Sequence, residues 1–315
     1  MKIWTLGDAV VDLLPLDNMH FEACVGGAPV NVAVGVARLG QHSGFIGRVG
    51  KDTFGNFLSE SMQANGVNTD YIQFDEIHHT STVLVSLNAR GERQFNFLVK
   101  ASADQFLTAE LLPELGKDIL HFCSLALVEP TCRNTLEHTI QKIRDAGGVL
   151  SFDINLREQM WGNALVMRKE IEEKASQADI LKMSEEEWLW LIQHDDFTTA
   201  LTCLEAYPAR LKVVTCGARG ALVLWQNQVF HFYGYRVESI DTTGAGDAFM
   251  AGLLHYIASE GWPRHVSELN TLMTQASACG ALATTQKGAL NAIPDRQQLI
   301  AFIAEHSALE VEEKK

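Results

Sequence analysis

The run from Asp241 to Phe249 contains the residue types that phosphoryl transfer requires. Gly244 and Gly246 flank Ala245, and Asp247 opens a long apolar helical segment. The unpaired N–H groups of a helix's first turn bind anions, and small residues let a phosphate approach the backbone. A carboxylate there would repel a bound phosphate, so we expect Asp247 to take a proton from an attacking hydroxyl. The alternative is a glycine-rich turn in which Asp247 is simply favoured by the helix dipole.

This run departs from the two most common phosphate-binding patterns. A Walker loop would continue with Gly-Lys-Ser or Gly-Lys-Thr, and a dinucleotide fingerprint would place a third glycine three residues beyond Gly246. Neither is present in the sequence. The run therefore predicts phosphoryl transfer at a site of another type.

The composition limits the classes of partner. The chain has 315 residues, 47% of them hydrophobic and 20% charged, which suffices for the core of one large domain or two ordinary ones. Its net charge of −14 argues against nucleic acid and anionic membranes as partners. The six cysteines lack metal-like spacing, so we expect free thiols and a reducing, cytoplasmic location. We find no signal peptide or long apolar run, and we expect the charged tail Leu309–Lys315 to be frayed.

Short apolar runs alternate with helical patterns along the chain. The expected strands are Ile3–Leu6, Gly44–Val49, Leu120–Cys123, Val149–Phe152, Ile180–Met183 and Lys212–Thr215. The expected helices are Pro29–Leu39, Thr53–Asn65, Arg133–Ala146, Asn163–Ala178 and Glu185–Gln193. Most strands lack period-two alternation, which is typical of parallel strands covered on both faces. This predicts the α/β class, with a doubly wound, mostly parallel sheet flanked by helices, in a single domain over residues 1–315.

Two segments predict antiparallel hairpins. Thr80–Leu87 and Glu92–Val99 alternate around the turn Asn88-Ala89-Arg90-Gly91, and they interrupt the α/β pattern early, which indicates a separate small sheet. Ala221–Trp225 and Val229–Tyr233 form the second hairpin, which we expect as an antiparallel edge of the main sheet.

The run from Asp241 to Phe249 resembles the C-terminal signature of the ribokinase-like (PfkB) carbohydrate kinases. The segment from Gly26 to Gly40, which begins Gly-Gly-Ala-Pro-Val-Asn, resembles the N-terminal signature of that family. The two signatures lie in the family's order, and weaker matches cover nearly the whole chain. The resemblance implies a small β-sheet lid, here residues 13–26 and 77–104. Such a lid covers the sugar and often mediates dimerisation, so Phe95 and Phe97 could serve either purpose.

Polar residues that follow strands mark the sugar site, because ligands of open α/β sheets bind beyond the carboxyl ends of the strands. Asp12 matches the family's sugar-binding aspartate by its place in Gly-Asp-x-x-Val-Asp. Asp8 is a second candidate, or it caps a turn. Gly26 and Gly27 permit a close approach of the backbone to the sugar. Asn31 offers a donor and an acceptor to the sugar, or it caps the helix.

Asp153, Asn155 and Arg157 follow a strand and resemble the Asp-x-Asn-x-Arg segment of fructokinase-like and ketodeoxygluconate-kinase-like members of the family. They share one side if the strand stays extended. We expect Asp153 and Asn155 at the sugar. We expect Arg157 at the transferring phosphoryl group or the sugar, because a guanidinium forks onto phosphate oxygens. An ion pair between Arg157 and Asp153 is the alternative.

The resemblance also assigns a nucleotide site. The implied ATP-binding residues are Lys182, Thr215, Gly217, Gly220, Gln275 and Ser277. Of these, Thr215, Gly217 and Gly220 belong to a glycine-rich turn after a strand. Gln275 and Ser277 lie in the helical segment Leu272–Leu282, where relatives often place asparagine beside adenine.

Two ions are implied as well. Glu187 matches the glutamate of an Asn-x-x-Glu motif that organises Mg²⁺ through water, although Ser184 replaces the asparagine. Ser184 and Glu187 could instead form only a capping box. Many relatives hold K⁺ beside the anion cradle, and the matching positions here are Asp241, Thr243, Ala283, Gln286 and Gly288.

The implied reaction transfers the γ-phosphoryl group of ATP to a primary hydroxyl of a furanose-like sugar. Asp247 would be the base, and the N–H groups of Gly244, Ala245 and Gly246 would stabilise charge on the phosphoryl oxygens. D-Fructose, giving fructose 6-phosphate, is the favoured substrate, and aminoimidazole riboside is the alternative. A non-catalytic sugar or nucleotide sensor on the same fold is the alternative from another class.

Overall fold

Alternating strands and helices build a ten-stranded sheet in the computed structural model, which describes residues 1–87, 93–193, 196–306 and 309–314. The strands of this sheet are β1 (Ile3–Leu6), β4 (Ser43–Gly50), β5 (Ile72–Asp75), β8 (Ile119–Cys123), β9 (Val149–Asp153), β10 (Ile180–Ser184), β11 (Leu211–Thr215), β12 (Ala221–Trp225), β13 (Gln228–Phe232) and β14 (Val311–Lys314). Their order is β14-β13-β12-β11-β10-β9-β8-β1-β4-β5. The strands from β5 to β11 run parallel, and β12 to β14 add an antiparallel edge.

Helices cover both faces of this sheet. They are α1 (Ala28–Arg38), α2 (Thr53–Ala64), α3 (Pro130–Asp145), α4 (Ala164–Ala175), α5 (Glu185–Ile192), α6 (Phe197–Glu205), α7 (Ala245–Glu260), α8 (Val266–Ala283), α9 (Ala289–Ala292) and α10 (Arg296–Glu305). One buried apolar cluster joins α1, α7 and α8 to the sheet, and another joins α3, α4 and α5 to it. Because both faces are covered, the central strands are buried along their length, as in β1 and β8. The predicted α/β class with a doubly wound, mostly parallel sheet is confirmed.

The chain order reverses between β1 and β8. The chain passes from β1 to β4 and β5 on one side, then returns across β1 to continue with β8 on the other side. Ligands of doubly wound sheets bind at such a reversal, beyond the carboxyl ends of the strands. A ligand site is therefore expected beside the residues that follow β1 and β8.

A second, four-stranded sheet lies in the order β3-β2-β6-β7. Its strands are β2 (Val10–Pro15), β3 (Phe21–Gly26), β6 (Ser81–Leu87) and β7 (Arg93–Phe97). The turn expected at residues 88–91 and the expected start of its second strand at Glu92 lie outside the described residues. The rest of the predicted hairpin is antiparallel, with Val85 opposite Phe95.

Several local expectations were wrong. The C-terminal tail is not frayed, because residues 311–314 pair with β13 as an antiparallel strand. Asn155 has a φ of 41°, so the chain after β9 does not stay extended and simple alternation cannot align residues 153–157. The sequence reading also missed β5, a short edge strand, and it placed the start of α3 three residues late. No helix of the described residues is long and apolar enough to cross a bilayer.

Candidate active site

A cavity of about 290 Å³ opens at the carboxyl ends of β1, β8 and β9, beneath the second sheet. Its predicted lining residues are Asp8, Asp12, Gly27, Asn31, Asp153, Asn155, Arg157, Lys182, Glu187, Thr215, Thr243, Gly244, Gly246 and Asp247. Gly26 directly precedes this lining. Its position is crowded, because a Cβ atom there would lie 2.4 Å from Asp12 Oδ2. The tertiary structure thus brings together residues from both ends of the chain.

Asp247 lies in the first turn of α7 and is buried. Its Oδ2 accepts a hydrogen bond of 2.8 Å from Asn31 Nδ2, on α1. Burial raises the pKa of Asp247, while the hydrogen bond from Asn31 and the positive charges of Lys182 and Arg157 act in the opposite direction. A carboxylate with a raised pKa is a stronger proton acceptor, provided that it is ionised. The Asn31 side chain therefore does not cap its helix, and it ties the two signature segments together.

The turn before α7 has the backbone shape of an anion cradle. Gly244 is the N-cap residue with a φ of 75°, and a Cβ atom there would lie 3.0 Å from Ala289 Cβ, so this position favours glycine. Gly246 lies beside Lys182, since a Cβ atom there would meet Lys182 Nζ at an ordinary contact distance of 3.4 Å. The Ala245 N–H already donates to Thr242 O at 3.2 Å. Three N–H groups, those of Gly244, Ala245 and Gly246, are expected to bind the phosphoryl oxygens. That of Ala245 is already engaged in a hydrogen bond within the turn.

Two carboxylates, one after the end of β1 and one on β2, line the cavity. Asp8 is buried, and burial together with the charge of Asp104 raises its pKa to about 7. Asp12, on β2, lies opposite Cys24 of β3. Carboxylate oxygens accept hydrogen bonds, so both side chains can bind the hydroxyl groups of a sugar.

An ion pair lies at the floor of the cavity. Lys182 Nζ contacts Asp153 Oδ2 at 2.6 Å, and both side chains are buried. Burial raises the pKa of Asp153 to about 6, although Lys182 opposes this. Burial alone would lower the pKa of Lys182, but Asp153 outweighs it and raises that pKa. The partner of Asp153 is therefore Lys182, and not Arg157, whose Nη1 donates to Leu156 O at 2.9 Å.

The second sheet provides an apolar wall. Val10, Val83, Phe95 and Phe97 line the cavity opposite the polar floor. Phe95 and Phe97 lie two residues apart on β7, so both point to the same face. The described part of this sheet thus places both aromatic rings at the cavity.

A second, larger cleft of about 700 Å³ adjoins the first. It contains the glycine-rich turn after β11, with Thr215, Gly217 and Gly220, and also Ser277 of α8. The two cavities share Ser184, Thr215 and Gly246. Asp247 lines only the first cavity, so the start of α7 lies between this smaller cavity and the larger cleft.

Gln275 does not reach this cleft. The residues of α8 and its C-cap that line it are Ser277, Gly280, Ala281 and Thr284, which share one helical face. Gln275 precedes Ser277 by two residues, about 200° around the helix, so it belongs to another face. Its expected place beside the nucleotide is therefore not supported by the geometry.

Glu187 has a structural task at the start of α5. Ser184 and Glu187 form the capping box, with Ser184 N donating to Glu187 Oε2 at 2.8 Å. Glu187 Oε1 also accepts the N–H of Leu156 at 2.6 Å. Among the described residues, no group of three or more His, Cys, Asp or Glu side chains could hold a metal. A carboxylate oxygen keeps a second lone pair, so Glu187 can still bind a metal-bound water.

The expected K⁺ residues lie on two loops that Asp241 connects. Asp241 Oδ1 accepts from Thr243 N at 3.0 Å and from Thr243 Oγ1 at 2.8 Å, and Oδ2 accepts from Gly288 N at 2.9 Å. Ala283, the last residue of α8, is buried, whereas Gln286 is exposed. Thr284 O accepts the N–H groups of Ile240 and Asp241, so the loop carbonyls approach this turn.

Comparisons with known proteins agree with this geometry. The model of the pfkB family of carbohydrate kinases matches residues 3–296. The chain belongs to this family. It is therefore an ATP-dependent phosphotransferase that acts on a sugar hydroxyl.

Among members of the pfkB family, fructokinase from Escherichia coli is 46% identical over 302 residues, covering 95% of this chain and 98% of that protein. Aminoimidazole riboside kinase from Salmonella typhimurium is 38% identical, covering 97% of this chain and 96% of that protein. Fructokinase from Vibrio cholerae O395, solved with fructose, ADP and a calcium ion, has a TM-score of 0.91 and 42% identity, covering 96% of this chain and 98% of that one.

The sequence reading missed several residues that line the two cavities of this pfkB kinase. Cys123 is the last residue of β8 and Leu125 follows that strand, and both line the smaller cavity, while Tyr235 and Arg236 line the larger cleft. The position of Cys123 at the end of an apolar strand was the available signal. Tyr235 and Arg236 lie on an irregular segment after β13, for which the sequence pattern offers no such signal.

Proposed function

We propose that this chain transfers the γ-phosphoryl group of ATP to a primary hydroxyl of D-fructose, producing fructose 6-phosphate. We assign the smaller cavity to the acceptor sugar and call it the acceptor cavity, and we assign the larger cleft to ATP. The observation that carries this proposal is the start of α7, where the two cavities meet at Gly246 and Asp247 lines the acceptor cavity. The similarity to fructokinases over nearly the full length supports fructose as the acceptor.

The proposed mechanism assigns a task to each side of the acceptor cavity. Asp8, Asp12 and Asn31 bind sugar hydroxyls and orient the acceptor hydroxyl toward Asp247. Asp247 then takes the proton of that hydroxyl as its oxygen bonds to phosphorus and the bond to ADP breaks. Holding the two reactants in line and stabilising the phosphoryl charge supply most of the rate acceleration.

The positive charges near α7 stabilise the transferring group. The N–H groups of Gly244 and Gly246 point toward the phosphoryl oxygens at the helix N-terminus. Lys182 lies next to Gly246, and Asp153 holds the ammonium group in place. We assign Arg157 to the phosphoryl group as well. The apolar wall with Phe95 and Phe97 excludes water from the reaction.

Two ions complete the proposal. Mg²⁺ would neutralise charge on the ATP phosphates, with Glu187 contacting its water shell. K⁺ would lie beside the anion cradle, near Asp241 and the loop that ends at Gly288, because main-chain and hydroxyl oxygens suit a large monovalent cation. Removing Mg²⁺ with a chelator should abolish turnover, and replacing K⁺ by Na⁺ should reduce it. Full activity in potassium-free buffer would contradict the K⁺ site.

A substrate panel tests the reaction. Release of ADP is measured with Mg-ATP, K⁺ and, in turn, fructose, aminoimidazole riboside, ribose, adenosine and 2-keto-3-deoxygluconate. We expect the highest kcat/KM with fructose. The apolar wall could also cover the heteroaromatic ring of aminoimidazole riboside, so a higher kcat/KM with that compound would replace fructose and keep the mechanism. ATP binding without turnover on any compound would favour a non-catalytic sensor.

The second sheet also provides a candidate dimer interface. Leu16, Met19, Phe21 and Leu98 are exposed apolar residues on or beside its strands. We propose that two copies associate through this sheet, and Met19→Glu should then shift the protein to a monomer in sedimentation analysis. A wild-type monomer at micromolar concentration would contradict the dimer. We propose a cytoplasmic location, since all six cysteines are free thiols.

A further inference from the structure

A separate surface cavity of about 400 Å³ lies at the opposite end of the main sheet from the active site. It is formed by the segment from Glu205 to Lys212, the β12–β13 turn and the α7–α8 connection, including Trp262. β11 begins beside this cavity at Leu211 and ends at Thr215, in the two active-site cavities. None of the residues assigned to sugar, ATP or metal lines this cavity.

Two positively charged side chains of this cavity retain hydrogen-bonding capacity. Arg210 lies over the ring of Trp262, with its guanidinium carbon 4.2 Å from the ring centroid. Within the described ranges, Arg210 forms no ion pair or hydrogen bond, so its N–H edge is available. Stacking on a flat ring fixes the plane of a guanidinium and so prepares it to bind oxyanions.

Lys212 is the second cation. It is buried, and its Nζ donates to Tyr207 O at 2.6 Å and to Glu205 O at 3.4 Å. An ammonium group has three N–H donors, so one remains for a ligand. Burial lowers the pKa of Lys212, while the carboxylate of Glu205 raises it. Glu205 is the one acidic side chain among the lining residues, against the two cations.

The remaining walls are aromatic and amide-bearing. Trp225, Tyr207 and Trp262 provide flat apolar surface, and Asn227 lies at the tip of the β12–β13 turn with a φ of 61°. Ligand sites of this kind combine an apolar wall with a few polar groups that fix orientation. Two cations against one carboxylate give this cavity a local positive charge, which favours anionic ligands although the chain as a whole carries a net charge of −14.

We propose that this cavity binds a small organic phosphate monoester, with the phosphate between Arg210 and Lys212 and the organic part against Trp262. An arginine fork and a lysine point charge together match the oxygens of a phosphate. Because β11 connects this cavity directly to Thr215, the bound ester lies at the start of a strand that ends in the active site.

The indole N–H resonance of Trp262 is a local reporter, assigned with Trp262→Phe and followed by NMR during titration. We expect glucose 6-phosphate to shift it saturably, inorganic phosphate to bind at least fivefold more weakly, and glucose to have no effect. Arg210→Gln and Lys212→Met should each weaken the ester at least tenfold. Arg264→Gln removes a neighbouring exposed arginine outside the cavity and should change the affinity less than twofold.

The reporter separates this cavity from the active site, where the same ester could also bind. An unshifted Trp262 resonance at saturating ester would overturn the proposal. Equal titrations of wild type and Arg210→Gln would do so too. Equal affinities for inorganic phosphate and the ester would show that the aromatic walls contribute nothing, and would refute the organic ligand.

Discussion

Asp247 combines burial with a single described hydrogen-bond partner, Asn31, which leaves its other oxygen toward the acceptor cavity. Burial raises the pKa of this carboxyl group, so the group accepts protons more readily than an exposed aspartate. For the proposed base, the same burial sets a lower pH limit on activity, because only the ionised carboxylate accepts a proton. The basicity of the Asp247 carboxylate therefore follows from its buried position in the first turn of α7.

Asp247→Asn should lower kcat by about 10²–10⁴-fold, the usual contribution of a positioned base. The protein should remain as stable as wild type, because an amide replaces a carboxylate whose charge is disfavoured by burial. ADP-release kinetics and a thermal melt measure the two quantities. In wild type, kcat should rise with pH as Asp247 ionises, and this rise should be absent in the variant. Asp145→Asn, an exposed acid on α3, is the control. A kcat within threefold of wild type would refute the base.

Asp8→Asn should stabilise the protein at pH 8 while weakening sugar binding. The folded-state pKa of about 7 exceeds the ordinary value of 3.8, so the contribution of Asp8 to wild-type stability is fully present below pH 3.8 and is lost as the pH rises through 7. At 1.36 kcal/mol per pH unit, the penalty above pH 7 is on the order of 4 kcal/mol. Asparagine does not ionise, so Asp8→Asn avoids this free-energy penalty.

Urea unfolding at pH 4 and pH 8 measures this effect. The gain in free energy of unfolding should be present at pH 8 and small at pH 4, and the exposed Asp145→Asn is the control. Equal stabilities of Asp8→Asn and wild type at pH 8 would mean that Asp8 is not buried as a charge in the folded protein.

At the scale of elements, the pair β2 and β3 positions Asp12 through a glycine on the neighbouring strand. Gly26 lies at the end of β3, where a Cβ atom would lie 2.4 Å from Asp12 Oδ2 and 2.9 Å from its Cγ. Real side chains do not approach so closely, so any larger residue must displace the carboxylate. The glycine at position 26 thus determines where an aspartate on the other strand can lie.

Gly26→Ala should raise the KM for the sugar at least tenfold, with a smaller change in kcat, because it displaces a binding group and leaves Asp247 in place. A shift of that size corresponds to about 1.4 kcal/mol of binding free energy. Steady-state kinetics with varied sugar at saturating ATP measures it. Gly116→Ala is the matched control, since its Cβ atom would meet only Asp118 at an ordinary 3.8 Å. An unchanged KM for the sugar would show that Asp12 does not bind the sugar.

At the scale of the whole molecule, the C-terminal strand completes the sheet edge beside the larger cleft. β14 pairs with β13, and Tyr233 N donates to Glu310 O at 3.0 Å. The residues after β13, from Gly234 to Val237, line that cleft. The last segment of the chain thus supports the wall of the larger cleft, which we propose as the ATP site.

Removing residues 309–315 should lower the free energy of unfolding by about 1–3 kcal/mol, since several backbone hydrogen bonds are lost at about 1 kcal/mol each. The KM for ATP should rise severalfold, and the KM for the sugar should stay within twofold. Denaturation and kinetics with each substrate varied separate these effects. Glu312→Gln keeps the strand and should behave as wild type. An equal rise of both KM values would show a general loss of structure.

The sequence alone determined the fold class and the reaction type. Apolar runs without alternation predicted a parallel sheet covered on both faces, because a strand buried on both sides tolerates few polar residues. The spacing of Gly244, Gly246 and Asp247 predicted an anion cradle with a base, because a helix N-terminus and an acid impose their chemistry locally. Such local features can be read from neighbouring residues.

The tertiary structure alone decided which distant residues meet. Asn31 contacts Asp247 and Lys182 pairs with Asp153 because parallel strands and α1 and α7 converge at one end of the sheet, and no local pattern encodes that meeting. The turn at Asn155 overrode the expected alternation, and the tail became a strand because β13 had an unpaired edge. Pairings across long separations depend on packing, and they are therefore settled only when the whole chain has folded.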